Sequence, residues 1–284
     1  MKTYHGATKE AISAHYDVDN AFYATWLDET MTYSCALWEE FSDATLLAAQ
    51  MKKLNFHIDN VVTTNCPNIL DIGCGWGSLI DRLITRFRNA KVDGLTLSGE
   101  QYNYMLDKYS SNKNVGVYLE SWEHHTPKHQ YDGIVSIGAF EHFIKCGLPR
   151  ELKVEIYRDF FNKCSSMLKP KAKISLQTIV YENYNEDLPN NFVEEIFPES
   201  DLPRLADIML AIERKFELIS HRNDRLHYMK TLQCWYSNLL QNKELIIKKY
   251  GEALFEKYQK YLGIFIFGFK TGTVNLSRMV LQKL

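Results

Sequence analysis

The chain lacks the features that mark several common classes of protein. Its six cysteines, at positions 35, 66, 74, 146, 164 and 234, contain no Cys-x-x-Cys pair and no disulfide-framework spacing. With 45% hydrophobic residues it can bury a core without covalent staples, so reduced thiols and a cytoplasmic location are expected. The nine histidines include no His-Glu-x-x-His, and His124-His125 is a lone doublet, so no metal site is expected. The run from Gly263 to Phe269 is far too short to span a bilayer. No basic segment followed by an apolar stretch opens the chain, so no signal peptide is expected. Basic charge is not in excess either: the formal net charge is −2, and no basic face for nucleic acid stands out. The short runs Lys52-Lys53, Lys169 to Lys173 and Lys248-Lys249 read as solvated helix ends rather than a membrane-docking surface. Repeats, low-complexity tracts and linkers are missing as well.

Glycine is present where it matters. In Asn68-Ile-Leu-Asp71-Ile-Gly73-Cys-Gly75-Trp-Gly77-Ser78 a short apolar run meets three glycines at every second position. This reads as a buried strand ending in a turn that glycine makes without a Cβ clash. A helix from about Trp76 to Phe87 then begins with exposed N–H groups. Dinucleotide sites carry a similar Gly-x-Gly-x-x-Gly. Here Ser78 holds the sixth position and Asp71 precedes the turn, a form suited to a nucleoside without a pyrophosphate, such as S-adenosylmethionine.

Strand and helix patterns alternate after this point. Strands are expected at Lys91–Leu97, Val115–Glu120, Gly133–Ile137 and Lys173–Val180, and helices at Gly99–Tyr109 and Arg150–Leu168. Such alternation predicts an α/β fold with a mostly parallel sheet and ligands beyond the carboxyl ends of the strands. Upstream, Phe22, Tyr23, Trp26 and Leu27 have the helical spacing of core or lid packing. Residues 30–36 read as a loop, and Ser42 or Asp43 can cap a helix over 44–62. Residues 181–214 break the alternation with prolines 189, 198 and 203 and a helix over 202–213. A strand over 216–221, a long helical stretch over 229–262 and an alternating strand over 273–282 complete the chain. The division expected is one domain: an N-terminal arm and cofactor lid (1–62), a cofactor-binding core (63–180), a substrate-covering insertion (181–214) and the rest of the sheet with its helices (215–284).

Polar residues gather at the expected strand ends. Strand two ends at Thr96-Leu97-Ser98, with Gln101 one turn further on, where related sheets carry an acidic residue for ribose hydroxyls. A hydroxyl and an amide can make the same hydrogen bonds. Trp122-Glu123 follows strand three, where an indole can stack on an adenine or simply pack. Strand four ends Ser136-Ile137-Gly-Ala-Phe140-Glu141-His142-Phe143, which points a carboxylate and an imidazole at the cleft.

Together these pieces resemble the cyclopropane-fatty-acid synthase and mycolic-acid methyltransferase family of S-adenosylmethionine enzymes. The segments that carry the resemblance are His15-Tyr-Asp with Thr32 to Cys35, Asp71–Gly77, Gly94–Gln101, Trp122-Glu123, Val135–Phe143, Glu195 to Pro198 with Leu202-Pro203, and His227-Tyr228 with Thr231-Leu232. The resemblance implies a class I methyltransferase sheet, Rossmann-like, with an antiparallel last strand and a helical lid insertion. It also implies that Tyr33, Ser34, Gly73, Gly75, Thr96, Gln101, Trp122, Glu123 and Ile137 surround the cofactor. Cys35, Glu141, Ile179 and Tyr228 match positions that hold a bicarbonate base in that family. Gln177 stands where the family has a histidine.

A glutamine amide can donate to an anion but cannot carry charge or relay a proton. This favours transfer to a small specialised metabolite of polyketide or peptide type: O-methylation by in-line displacement, with Glu141 or His142 as base and Tyr33 and Tyr228 positioning the acceptor. The alternative is cyclopropanation or C-methylation of an acyl chain with a bound bicarbonate, and only that reading brings membrane contact. A third is a cofactor-binding partner without turnover, against which Tyr33, Glu141 and Tyr228 speak. Cys35 also reads as a buried small hydrophobe. The strand-four end lacks an Asn/Asp-Pro-Pro-Tyr/Phe motif, which disfavours nucleic-acid methylation.

Overall fold

Strand β1 (Asn68–Ile72) is apolar on both faces because it lies in the middle of the sheet, with Leu70 and Ile69 fully buried. The computed structural model describes residues 6, 8, 18–39, 44–183 and 199–284. In chain order these form α1 (Asn20–Ala24), α2 (Leu46–Val61), β1, α3 (Ser78–Arg86), β2 (Lys91–Thr96), α4 (Gly99–Tyr109), β3 (Val115–Leu119) and β4 (Tyr131–Ile137). There follow a 3₁₀ turn (Phe140–His142), α5 (Arg150–Met167), β5 (Leu168–Tyr181), α6 (Leu205–Ile212), β6 (Phe216–Asn223), α7 (Arg225–Gln241), α8 (Lys243–Tyr250), α9 (Glu252–Thr271) and β7 (Val274–Lys283).

The sheet order is β3-β2-β1-β4-β5-β7-β6. Neighbours from β3 through β5 are parallel, and β7 runs antiparallel to both β5 and β6. The last strand is thus antiparallel as expected, and it lies between β5 and the edge strand β6. The strand order reverses between β1 and β4, so their carboxyl ends open the crevice where α/β sheets bind ligands. Register matters at one further place. Gln177 on β5 stands opposite Arg278 on β7, and Arg278 stands opposite Arg222 on β6. Their side chains therefore share one face of the sheet.

The expected elements are largely present, with instructive shifts. Helix α3 starts at Ser78 because Gly77 takes a left-handed conformation, φ 84°. The stretch 229–262 is not one helix: it is broken at Asn242 and again at Gly251, whose φ of 89° ends α8. Strand β5 reaches back through Pro170 to Leu168, past an irregularity between Tyr131 and Gly133 in its pairing with β4. Thr45 caps α2 by accepting from Ala48 N at 3.2 Å. The predicted caps Ser42 and Asp43, the His15-Tyr-Asp17 segment and Glu195 to Pro198 lie outside the described residues. Phe22, Tyr23 and Trp26 are fully buried against Tyr258 of α9 and Trp235 of α7, in edge-to-face and tilted contacts. This aromatic cluster fixes the N-terminal segment over the carboxyl ends of the strands. No helix among the described residues is long and apolar enough to cross a membrane.

Candidate functional site

The turn after β1 is rigid for reasons visible atom by atom. Gly73, Gly75 and Gly77 have φ of 84°, 55° and 84°. A Cβ on Gly73 would stand 2.5 Å from the Cβ of Ala139, and one on Gly77 would stand 2.5 Å from the sulfur of Met105. At Gly75 a Cβ would meet nothing within 4 Å, because that residue faces open space. Gly73 N and Cys74 N both donate to Leu95 O at 2.9 Å, which ties the turn to β2.

The open space is a cleft of about 1000 Å³. Its wall contains Tyr33, Ser34, Asp71, Gly73 and Gly75, with Thr96, Leu97, Gln101, Trp122 and Ile137 from the neighbouring strand ends. Those are the cofactor residues expected from the sequence, with one exception. Glu123 is not on the wall; Glu120 and Ser121, on the other side of Trp122, are. Thr96 Oγ1 donates to Gln101 Oε1 at 2.8 Å and accepts from Ser98 N at 3.2 Å. The Gln101 amide N–H groups are left to face the cleft. Trp122 lines this cleft and also packs against the core. Its ring packs edge-on against Phe160 at 5.3 Å, and its indole N–H is buried without a hydrogen-bond partner.

Two charged groups of opposite sign face this cleft. Burial pushes the Asp71 carboxyl up to about 7, against the pull of Lys53. In the sequence Lys52-Lys53 reads as a solvated helix end. Lys52 is solvated, but Lys53 is 1% exposed and its ammonium is held down to about 7 by burial. A signal was present: Gln50, Lys53 and His57 form a polar stripe on α2 beside Leu54, Ile58 and Val61, and all of these are buried.

Tyr33, Ser34, Gly138 and His142 also line a second cavity, of about 560 Å³. Glu141, Gln177, Ile179 and Tyr228 stand on its wall with Leu202, Tyr261, Phe265 and Leu276. Glu141 Oε1 accepts from Ile179 N at 2.7 Å, whereas its Oε2 is buried with no partner. Burial raises this carboxyl to about 7, the Ile179 hydrogen bond working against the rise. His142 contacts Ser200 Oγ at 2.7 Å through Nδ1, and burial lowers it to about 4, so the imidazole is neutral at pH 7. Cys35 carries two readings, a bicarbonate contact implied by the resemblance and a buried small hydrophobe. It lies behind the cavity wall, donates its thiol to Ala36 O at 3.1 Å, and is pushed up to about 11 by burial. The buried small hydrophobe is the reading the structure supports.

Gln177 is locked from behind. Its Oε1 accepts from Arg278 Nε at 2.8 Å and faces His57 Nε2 at 3.3 Å, and its amide nitrogen donates to Cys35 O at 3.4 Å. Arg278, 1% exposed, forms an ion pair with Asp224 and donates to Cys35 O at 3.1 Å and Ala36 O at 3.0 Å. No group of three or more potential metal-ligating side chains occurs among the described residues.

Residues 4–279 match the family described as mycolic acid cyclopropane synthetase. The chain belongs to this family. It is therefore an S-adenosylmethionine-dependent methyltransferase. Hydroxymycolate synthase MmaA4 of Mycobacterium tuberculosis is 35% identical over 89% of this chain and 85% of its own length. Cyclopropane mycolic acid synthase 3 of the same organism is 33% identical over 96% of both chains. Among solved structures, the mycolic acid cyclopropane synthase CmaA1 complexed with SAH and CTAB superposes with a TM-score of 0.87 at 30% identity, covering 98% of this chain and 99% of that one. The likeness to these family members runs over nearly the whole chain rather than the nucleotide-binding half alone.

Proposed function

We propose that this methyltransferase holds S-adenosylmethionine in the larger cleft and transfers its methyl to an unsaturated acyl chain in the smaller cavity, giving a cyclopropane or methyl-branched chain. The observation that carries the reading is the second cavity: aromatic and aliphatic side chains around one buried, half-partnered carboxyl, Glu141, with Ser34, His142, Gln177 and Ser200 as the other polar members of the wall. Mostly apolar walls suit a hydrocarbon acceptor. The relatives bear the names of enzymes acting on mycolic acids, which supports an acyl chain over the hydroxyl of a specialised metabolite. The O-methylation expected from Gln177 accordingly gives way to the alternative.

The donor supplies an electrophilic methyl on a sulfonium sulfur. Tyr33, which lines both cavities and donates to the Tyr261 hydroxyl at 3.0 Å, stands where donor and acceptor meet. As the C–S bond breaks and the C–C bond forms, positive charge moves onto the acceptor chain. The faces of Tyr228, Tyr261 and Phe265 can stabilise that charge. A proton must then leave the methylated chain.

Bicarbonate fits the residues present. Glu141 Oε2 lacks a partner, its carboxyl is protonated up to about pH 7 and can donate, and Gln177, one amide N–H of which donates to Cys35 O, has a second to offer. Glu141, Gln177 and Tyr228 would hold the anion, and it would supply the base that takes the proton. The Ile179 N–H is already engaged by Glu141, and Cys35 stands behind the wall. Holding falls to fewer groups than the resemblance implies.

Mass spectrometry of lipids from a bacterial host without its own cyclopropane synthase tests the proposal. Unsaturated acyl chains should gain one methylene unit when the chain is expressed. Unchanged acyl chains, with purified protein still binding S-adenosylhomocysteine, would overturn it.

A further inference from the structure

The methyl donor carries a zwitterion as well as a methyl group, and the larger cleft presents charges for both ends. Lys53 Nζ donates to Ser34 Oγ at 2.9 Å, and among the described residues this is its one hydrogen bond and no carboxylate lies within 4 Å of it. An ammonium has three protons to donate, and a buried one that meets a single neutral acceptor is incompletely compensated. Fixing the 32–34 loop does not require it. Gln50 on the preceding turn of α2 already donates to Ser34 O at 2.9 Å and Thr32 O at 3.3 Å. Ser34 Oγ accepts from Lys53, so its own O–H is free to donate into the cleft it lines. Across the cleft wall, Asp71 offers the opposite charge.

We propose that Lys53, with the Ser34 hydroxyl, anchors the α-carboxylate of the donor while Asp71 faces its α-ammonium. This assignment rests on placing the donor in the larger cleft and is independent of the acceptor. The groups around Lys53 set its protonation. Asp28, Cys35 and Asp71 favour the charged form, burial and Arg278 oppose it, and His57 on the same helix is held neutral by burial. The ammonium is therefore half-protonated near pH 7 in the empty cleft, and an arriving carboxylate recharges it. Through Lys53 the preference for a carboxylate-bearing ligand should be constant below that point and fall towards tenfold per pH unit above it, until the pKa of the bound state is reached, while Asp71, pushed up to about 7 by burial, acts on the amino group of both ligands alike.

Calorimetric titration with S-adenosylhomocysteine and its decarboxylated analogue is the test. The wild type should prefer the carboxylate ligand by about 10- to 100-fold at pH 6.5, the range of a charge-assisted hydrogen bond. That preference should shrink between pH 7 and 9. Lys53→Met should bring the two ligands to within about threefold. The amino groups of the two ligands do not titrate together, because removing the carboxylate changes the basicity of the neighbouring amine, so the change that Lys53→Met makes in each ligand's curve is what is read. A pH-independent preference, or equal weakening of both ligands by Lys53→Met, would overturn the assignment. Should Lys53→Met not fold, Lys53→Gln takes its place in the same comparison. Gln101→Ala is the control for the cleft: leaving both affinities unchanged, it would remove the placement of the donor and the assignment with it.

Discussion

Glu141 shows how a single side chain can serve function at a cost to stability. Its carboxyl is raised from an ordinary value to about 7 by burial, so the folded state holds a proton that the unfolded chain releases. The stability tied to that proton is full below about pH 4.5 and is lost as pH rises through 7. Glu141→Gln removes this liability. The variant should melt higher than wild type at pH 8, by on the order of 2–3 kcal/mol, and show little difference at pH 4.5. Turnover should fall by about 100-fold while affinity for S-adenosylhomocysteine stays unchanged, because Glu141 lines the smaller cavity alone. Thermal scans at the two pH values and a binding titration check both halves. Glu141 was legible in the sequence because it follows a central strand directly. Lys53 was not, because its neighbour Lys52 has the same chemistry and only the helix register distinguishes an exposed lysine from a buried one.

At the scale of an element, the β1–α3 turn separates packing from binding. Gly73→Ala places a methyl 2.5 Å from another and forces a left-handed alanine, a combined cost of about 2–4 kcal/mol. Gly75→Ala meets no neighbour and carries only the backbone cost of about 1 kcal/mol, but its methyl projects into the cleft. The first should lower the melting temperature markedly. The second should leave it nearly unchanged and weaken nucleoside binding instead. Equal effects on both measurements would show that the turn's two glycines are not divided in this way. The turn itself was plain in the sequence, whereas the roles of its glycines depend on Ala139 and Met105, distant in the chain.

At the scale of the whole molecule, Arg278 joins segments remote in sequence. It links β7 to Asp224 at the start of α7, to Gln177 on β5 and to the 35–36 loop. Removing one partner of a buried ion pair leaves the other uncompensated, so Arg278→Met should destabilise by about 3–5 kcal/mol. Arg278→Lys should not rescue it, since one ammonium cannot reproduce the guanidinium's spread of donors. Denaturant unfolding at constant pH measures both. In the sequence Arg278 is one polar residue in an alternating strand. Its partners become visible only when β7 is known to lie beside β5 in the register that sets Gln177 opposite it.

The sequence by itself determined the alternating sheet, the glycine turn and most of the residues at the strand ends. Local periodicity and backbone freedom are short-range properties, and a central strand delivers whatever follows it to the cleft. Tertiary structure decided the rest. It placed Cys35 behind the acceptor wall, engaged the Ile179 N–H with Glu141, and turned the Gln177 amide by pairing its oxygen with Arg278. It also buried Lys53 beside Asp71 in the cleft. Each of these depends on long-range packing and on the desolvation that packing imposes, which the order of residues along the chain does not display.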